Sequence, residues 1–170
     1  YLTDAGRDHV VLDRGRLAES WRSSRWDSLR LLTPNWMTRL PGWRYQGPDS
    51  EGFMKAAEVT GYLDAYARSF GAPVQTWTAV TDVAPLADGY RVTTTQDSWL
   101  ARNVVMATGA RPHVPDHAAS FDPTIRQIHT NRYGNPDQLP DGGVLVVGAS
   151  ASGAQIAAEL RQAGREVVLA

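Results

Sequence analysis

The stretch most typical of a ligand-binding site is rich in glycine and serine. It lies between an apolar run and a helical pattern. Residues 144–147 are apolar, and the next six have the order G-x-S-x-S-G, from Gly148 to Gly153. This departs from the dinucleotide fingerprint G-x-G-x-x-G at Ser150, which replaces the middle glycine. Gly148 permits a sharp turn and Gly153 close helix packing, so the first helical N–H groups face a pyrophosphate. A turn without a ligand is the alternative left open.

A strand ending in an acid has the position of a ribose-binding element. The chain is predicted to open on a last helical turn that ends at Gly6, followed by a short buried strand that ends at Asp13. Residues 160–169 repeat this order. Because the acid follows its glycine turn by about 20 residues, we expect the first turn before Tyr1 and the second acid beyond Ala170. The chain is therefore expected to be a fragment holding half of each of two nucleotide-binding units.

Tryptophan and arginine are dense in residues 16–55, where little regular structure is predicted apart from a strand at 28–32 and a turn at 33–35. Long irregular segments are usually functional or disordered, and this aromatic density argues against disorder. Either the tryptophans form a satellite core, or they wall a planar cofactor whose phosphates the arginines face. The residues concerned are Trp21, Arg22, Arg25, Trp26, Arg30, Trp36, Arg39, Trp43 and Arg44.

The remaining patterns indicate an α/β protein with a small antiparallel sheet. The apolar stripe of residues 56–70 predicts an amphipathic helix that packs on the core. Residues 74–83, 90–95 and 99–106 predict three strands of a β-meander. An irregular link rich in proline and histidine, residues 113–140, separates two predicted domains, with crossings near residues 110–115 and 135–142.

The amino-acid composition argues against several classes of protein. The 170 residues are 42% hydrophobic and 21% charged, with a net charge of −1, which argues against a nucleic-acid or anionic-membrane surface. There is no cysteine, and therefore no disulfide, cysteine-ligated zinc or thiol redox pair. No apolar run has the length of a membrane span, and no signal peptide or metal-ligand pattern is present. A cytoplasmic protein is expected.

The order of these elements resembles flavoproteins with two dinucleotide-binding domains, one for FAD and one nested within it for NAD(P)H. Residues 21–41 are similar to the W…(Y/W)-D-x-L-x-L…L-P segment of flavin-containing monooxygenases, including the plant enzymes that make auxin. His129 and Tyr133 resemble the end of that family's F-x-G-x-x-x-H-x-x-x-(F/Y/W) signature, although Pro123 and Ile125 replace its Phe and Gly. Because the thiol-disulfide reductases of the same fold pass electrons through a cysteine pair, a chain without cysteine is expected not to share their activity.

The resemblance implies a three-layer, Rossmann-like FAD/NAD(P)-binding fold. Residues 1–112 would be the FAD-binding domain without its first strand and glycine turn, residues 113–140 the inter-domain link, and residues 141–170 the start of the NAD(P)-binding domain. The implied FAD contacts are Asp13 and Arg14 at the ribose, Trp21 and Arg22 at the pyrophosphate, Leu31 and Thr33 beneath the ring, Val80 at the adenine, and Ala107, Thr108 and Gly109 at the domain crossing. The implied NADPH contacts are Gly148, Ser150, Ser152 and Gly153.

The implied activity is an NADPH-using monooxygenase that inserts one atom of O₂, through a C4a-peroxyflavin, into an amine, sulfur or carbonyl substrate. Its partners would be a small-molecule substrate and O₂, with a homodimer left open. The flavin performs the oxygen chemistry, so no catalytic acid or base is assigned. Two alternatives stay open: an FAD/NAD(P)H oxidoreductase without oxygen insertion, and an inactive NADP-binding fragment. Without its first glycine turn, the chain is expected to hold FAD poorly.

Overall fold

The computed structural model describes residues 1–109 and 112–170, and the chain divides into two units. Within these ranges, unit 1 comprises residues 1–19 and 61–109, and unit 2 comprises residues 20–60 and 112–170. The predicted crossing near residues 110–115 falls in part on Ala110 and Arg111, which lie outside the described residues. No helix in the described ranges is long and apolar enough to cross a membrane.

Short strands and two longer helices make up the regular structure. Single 3₁₀ turns lie at Asn35–Met37, Asp116–Ser120 and Pro136–Gln138. In chain order the other elements are β1 (Val11–Leu12), α1 (Glu19–Ser23), β2 (Arg39–Leu40), β3 (Trp43–Arg44), α2 (Ala56–Ser69), β4 (Val74–Gln75), β5 (Val80–Leu86), β6 (Gly89–Thr94), β7 (Ser98–Ala101), β8 (Val144–Val146), α3 (Ala151–Gln162) and β9 (Val167–Leu169).

Unit 1 contains a parallel strand pair and the predicted β-meander. β1 and β4 pair in parallel, with Val11 opposite Val74. β5, β6 and β7 form an antiparallel sheet in that order, and Leu86 pairs with Gly89 across a two-residue turn. The helix predicted at residues 56–70 is present as α2; Val59 of its apolar stripe is buried, whereas Phe70 lies past its end and is exposed.

Glycines end the helical segments before β1 and β4. Gly6 and Gly71 have φ angles of 60° and 61°, the left-handed region that glycine adopts without strain. The next residues, Arg7 and Ala72, each donate an N–H to the carbonyl five positions earlier, at 2.9 Å. These bonds are typical of the Schellman motif and confirm the helix end predicted at Gly6.

Three predicted strands are shorter than expected. The run of residues 74–83 is broken because Trp77 has a φ of 57°, and β5 begins only at Val80. The third meander strand ends at Ala101, and in the described chain no further strand pairs with the residues after it. The strand predicted at residues 9–13 is reduced to β1, and Val11 is exposed rather than buried.

Unit 2 contains a complete β–α–β unit. β8 and β9 pair in parallel, with Val144 opposite Val167, and α3 connects them. Gly164, with a φ of 82°, ends α3 and turns the chain into β9. This arrangement confirms the strand, turn and helix predicted around residues 144–157.

The core of unit 2 joins α3 to the tryptophan- and arginine-rich segment. Its buried members are Trp26, Leu29, Tyr133, Ile156 and Leu160. Trp26 therefore packs as core, in agreement with the satellite-core alternative, whereas Trp36 is exposed.

The buried Asn35 amide orders much of the irregular segment. Its Nδ2 donates to the Asp49 carbonyl at 2.8 Å, and its Oδ1 accepts the Met54 N–H at 2.9 Å. The strand predicted at residues 28–32 is present only as a single bridge between Arg30 and Lys55.

Candidate functional site

The turn between β8 and α3 has the geometry of a phosphate-binding loop. Gly148 has a φ of 103°, and its N–H donates to the Ala170 carbonyl at 2.6 Å. A Cβ placed on Gly153 would overlap the carbonyl oxygen of Gly148, a backbone atom that cannot rotate away. Both glycines are therefore required where the sequence pattern places them, and the turn fits a dinucleotide pyrophosphate.

The first turn of α3 offers hydrogen-bond donors to an anion. Ser150 is the N-cap residue in an extended conformation, and its hydroxyl makes no capping hydrogen bond. Its carbonyl accepts the Ala154 N–H at 2.9 Å, the first bond of the helix. The N–H groups of Ala151, Ser152 and Gly153 precede that bond and have no helical carbonyl partner. Together with the Ser150 hydroxyl, they are suited to phosphate oxygens.

A cleft of about 340 Å³ lies beside this turn. Ser152 and Gln155 of α3 line one side, and Trp21, Arg25 and Arg30 line the other. The Arg25 guanidinium lies over the Trp21 ring, 4.7 Å from its centroid. None of the described residues that line the cleft is Asp or Glu. Two cationic side chains and a helix N-terminus make the cleft electropositive, which suits an aromatic cofactor that carries phosphates.

The Gln155 side chain joins α3 to the opposite wall of the cleft. Its Nε2 donates to the Arg30 carbonyl at 3.0 Å, and its Oε1 accepts the Arg30 N–H at 3.4 Å. The Arg30 guanidinium donates in turn to the Phe53 carbonyl at 3.2 Å. Because one amide bonds to both backbone groups of Arg30, the backbone at Arg30 and Leu31 is held at a defined distance from the glycine turn.

Tyr133 also connects α3 to the tryptophan- and arginine-rich segment. Its ring is buried in the core, and its hydroxyl donates to Oε2 of Glu159 on α3 at 2.7 Å. Burial, and then the hydrogen bond to Glu159, raise the pKa of Tyr133 above its ordinary value. The Asp27 N–H bonds to the Gly134 carbonyl at 2.8 Å and extends this connection.

His129 has a local role. Its Nδ1 lies 2.9 Å from Oδ1 of Asn131 and 3.3 Å from the Asn131 N–H, so the ring closes a turn. The neighbouring Thr130, rather than His129, lines the cleft. His129 therefore orders the turn that contains Thr130.

Unit 1 carries the other predicted site residues. The Asp13 carboxylate follows β1, and its Oδ1 accepts the Gly15 N–H at 3.0 Å. The Asp13 carbonyl accepts the Thr78 N–H at 2.8 Å, which places it beside the segment after β4. The remaining residues of this predicted set are exposed: Arg14, Val80, Ala107, Thr108 and Gly109.

The predicted residues of unit 2 fall into two groups. Trp21, Leu31 and Ser152 line the cleft, whereas Arg22 and Thr33 are exposed and are not among its lining residues. Gly148, Ser150 and Gly153 form the turn beside it. Of the cleft residues that were not predicted, Gln155 is the one that bonds to the opposite wall. Its position three residues after Ser152 on one helical face is the signal that indicates it.

Comparisons with known proteins assign the chain to a family. The profile of the pyridine nucleotide-disulphide oxidoreductase family matches residues 1–170. The chain belongs to this family. It is 42% identical over 162 residues to an uncharacterized CzcO-like oxidoreductase of Geobacillus kaustophilus, covering 94% of this chain and 46% of that protein. It is 32% identical over 175 residues to the rice indole-3-pyruvate monooxygenase YUCCA4, covering 91% of this chain and 40% of that protein.

A solved structure supports the fold assignment. The flavin-containing monooxygenase from Stenotrophomonas maltophilia superposes with a TM-score of 0.76 at 27% identity, over 94% of this chain and 56% of that one. The α/β, Rossmann-like fold and the resemblance to flavin-containing monooxygenases are therefore confirmed. The chain spans about half the length of the curated relatives it matches.

Proposed function

We propose that the protein is an FAD-dependent, NADPH-using monooxygenase that adds one oxygen atom from O₂ to an amine, sulfur or carbonyl substrate. The observation that carries this proposal is the electropositive cleft between the glycine turn and the tryptophan- and arginine-rich segment. In sequence, that segment is similar to the corresponding part of flavin-containing monooxygenases. Similarity to YUCCA4 and to the Stenotrophomonas enzyme supports the same reaction class.

The turn at the start of α3 would hold the NADPH pyrophosphate. The N–H groups of Ser152 and Gly153 and the Ser150 hydroxyl would donate to its oxygens, and Arg30 would add positive charge. Trp21 and the core residue Trp26 would exclude water from the adjoining cleft. When bound, FAD accepts hydride from NADPH and activates O₂, and the protein supplies binding and orientation.

Unit 1 would hold the adenosine part of FAD. Oδ2 of Asp13 would accept from the ribose hydroxyls, with Arg14 beside it, and the Val80 backbone would face the adenine. Ala107, Thr108 and Gly109 would approach FAD where the chain crosses between domains. In this proposal the domain bounds remain those predicted: residues 1–112 for FAD, 113–140 as the link and 141–170 for NADPH.

The experiment follows electrons and oxygen atoms in the purified full-length protein. We expect bound flavin in the visible spectrum, NADPH-dependent O₂ consumption, and heavy-oxygen label from O₂ in one position of the product. The substrate panel would contain a tertiary amine, a thioether and a 2-oxo acid. NADPH oxidation that reduces an added carrier without a labelled product would favour the reductase alternative. Absence of flavin would favour the NADP-binding module.

Replacing Gln155 with methionine tests how the cleft is positioned. Loss of two hydrogen bonds to the Arg30 backbone should lower the free energy of unfolding by about 1–2 kcal/mol. The backbone at Leu31, which is proposed to lie beneath the flavin, should shift. The absorption spectrum of bound flavin should therefore change. Gln162→Met on the same helix is the matched control, since Gln162 is exposed. An unchanged flavin spectrum in Gln155→Met would contradict this positioning role.

A further inference from the structure

Trp77 has a backbone conformation that its side chain disfavours. Its φ of 57° lies in the left-handed region, and within the described chain only Ala18 shares this among non-glycine residues. In that region the Cβ of an ordinary residue crowds the following carbonyl, and bulky residues are genuine outliers. The residue is also 62% exposed, so burial of the indole does not offset the strain.

Hydrogen bonds on both sides hold Trp77 in this conformation. Its N–H donates to the Gly15 carbonyl at 3.1 Å, and its carbonyl accepts from Nε2 of Gln96 at 3.0 Å. The next N–H, of Thr78, donates to the Asp13 carbonyl at 2.8 Å. The surrounding structure therefore fixes a strained backbone that presents an exposed aromatic side chain. Strain maintained in this way is characteristic of ligand clamps.

The position of Trp77 in the sheet indicates what the side chain serves. β1 and β4 are adjacent and parallel, and Asp13 and Trp77 each follow the carboxyl end of one of them. Ligands of open parallel sheets bind outside the carboxyl ends of the strands. At this edge Oδ1 of Asp13 is used by Gly15, and Oδ2 has no hydrogen bond with the described residues. An available carboxylate oxygen and an exposed indole at the same edge of the strand pair suit a ribose diol attached to a flat heterocycle.

We propose that Trp77 is the stacking residue for the adenine ring of FAD and sets the preference of this edge for an adenosine group. The inference deepens the proposed function and rests on it. Asp13 would hold the ribose hydroxyls, and the indole would cover one face of the base. Glycine would remove the strain at this position, and in the proposal the ring of tryptophan offsets that strain by supplying binding area.

The experiment compares three ligands on the FAD-depleted full-length protein by titration calorimetry. FAD and AMP both carry the adenosine group, whereas FMN lacks it. Trp77→Gly should weaken FAD and AMP binding by at least about fivefold and leave FMN binding unchanged. Trp77→Phe keeps an aromatic face and should remain within about threefold of the wild type. Leu100→Ala is the control for loss of an exposed apolar side chain from unit 1, since Leu100 is 77% exposed.

Stability separates stacking from a structural role. Because glycine adopts positive φ freely, Trp77→Gly should melt at the same temperature as the wild type or higher while binding adenosine ligands less well. A variant that melts lower and loses all three ligands equally would overturn the proposal, as would unchanged FAD and AMP affinities or a wild type that binds neither. If adenosine ligands bind as expected but no product is oxygenated, only the proposed reaction fails.

Discussion

Replacement of Gly153 by alanine is expected to lower the free energy of unfolding by about 1–3 kcal/mol. The added Cβ would overlap the Gly148 carbonyl oxygen and also contact the Val146 side chain, 3.5 Å away. Since the nearest atom belongs to the backbone, relief requires α3 to move away from β8. Such a shift would withdraw the N–H groups of the first helical turn from the site proposed for the NADPH pyrophosphate. Loss of one or two charge-assisted hydrogen bonds should weaken NADPH binding roughly ten- to hundredfold.

Chemical denaturation and NADPH titration would measure the two effects. The matched control is Gly143→Ala, just before β8, where a new Cβ would lie 3.8 Å from the Glu166 carbonyl oxygen, an ordinary contact. That variant should differ from the wild type by less than about 0.5 kcal/mol in stability and should bind NADPH normally. If Gly153→Ala bound NADPH as the wild type does, the turn would not be the nucleotide site.

The glycine turn could be predicted from sequence because its determinants are local. Gly148, Ser150 and Gly153 lie within six residues, and their spacing specifies the strand, the turn and the helix start. The opposite wall of the cleft could not be predicted, because the Gln155 contact with Arg30 spans 125 residues of sequence. Hydrophobic periodicity predicts which face of α3 is apolar, but it does not identify the residues that pack against that face.

The broken strand at residues 74–83 shows a second limit. Its β-branched and aromatic residues favour a continuous strand, because β-propensity measures how side chains suit a pleated surface. The break follows from the backbone angle of Trp77, which hydrogen bonds to Gly15 and Gln96 impose. A glycine or asparagine at this position would have indicated the left-handed conformation, whereas a tryptophan does not.

Truncation of Tyr133 should strongly destabilise unit 2. Tyr133 is 6% exposed, and it packs with Trp26 and Leu29 against α3. Tyr133→Ala should therefore lower the free energy of unfolding by about 3–5 kcal/mol. Tyr133→Phe keeps the ring and removes only the 2.7 Å hydrogen bond to Glu159, which should cost about 1.5–3 kcal/mol. Tyr90→Phe on β6 is the control, since Tyr90 is 39% exposed.

The pH dependence of unfolding isolates the hydroxyl. Burial and the Glu159 hydrogen bond raise the pKa of Tyr133 in the folded protein above the value of about 10 that it has when unfolded. Above that pH the unfolded chain releases the proton while the folded protein retains it, so stability should fall as pH rises. The slope from this one group is at most about 1.4 kcal/mol per pH unit, and it should be absent in Tyr133→Phe. If both proteins lost stability equally above pH ~10, the hydroxyl would not be held neutral by α3, and the core that positions the cleft would depend on ring packing alone.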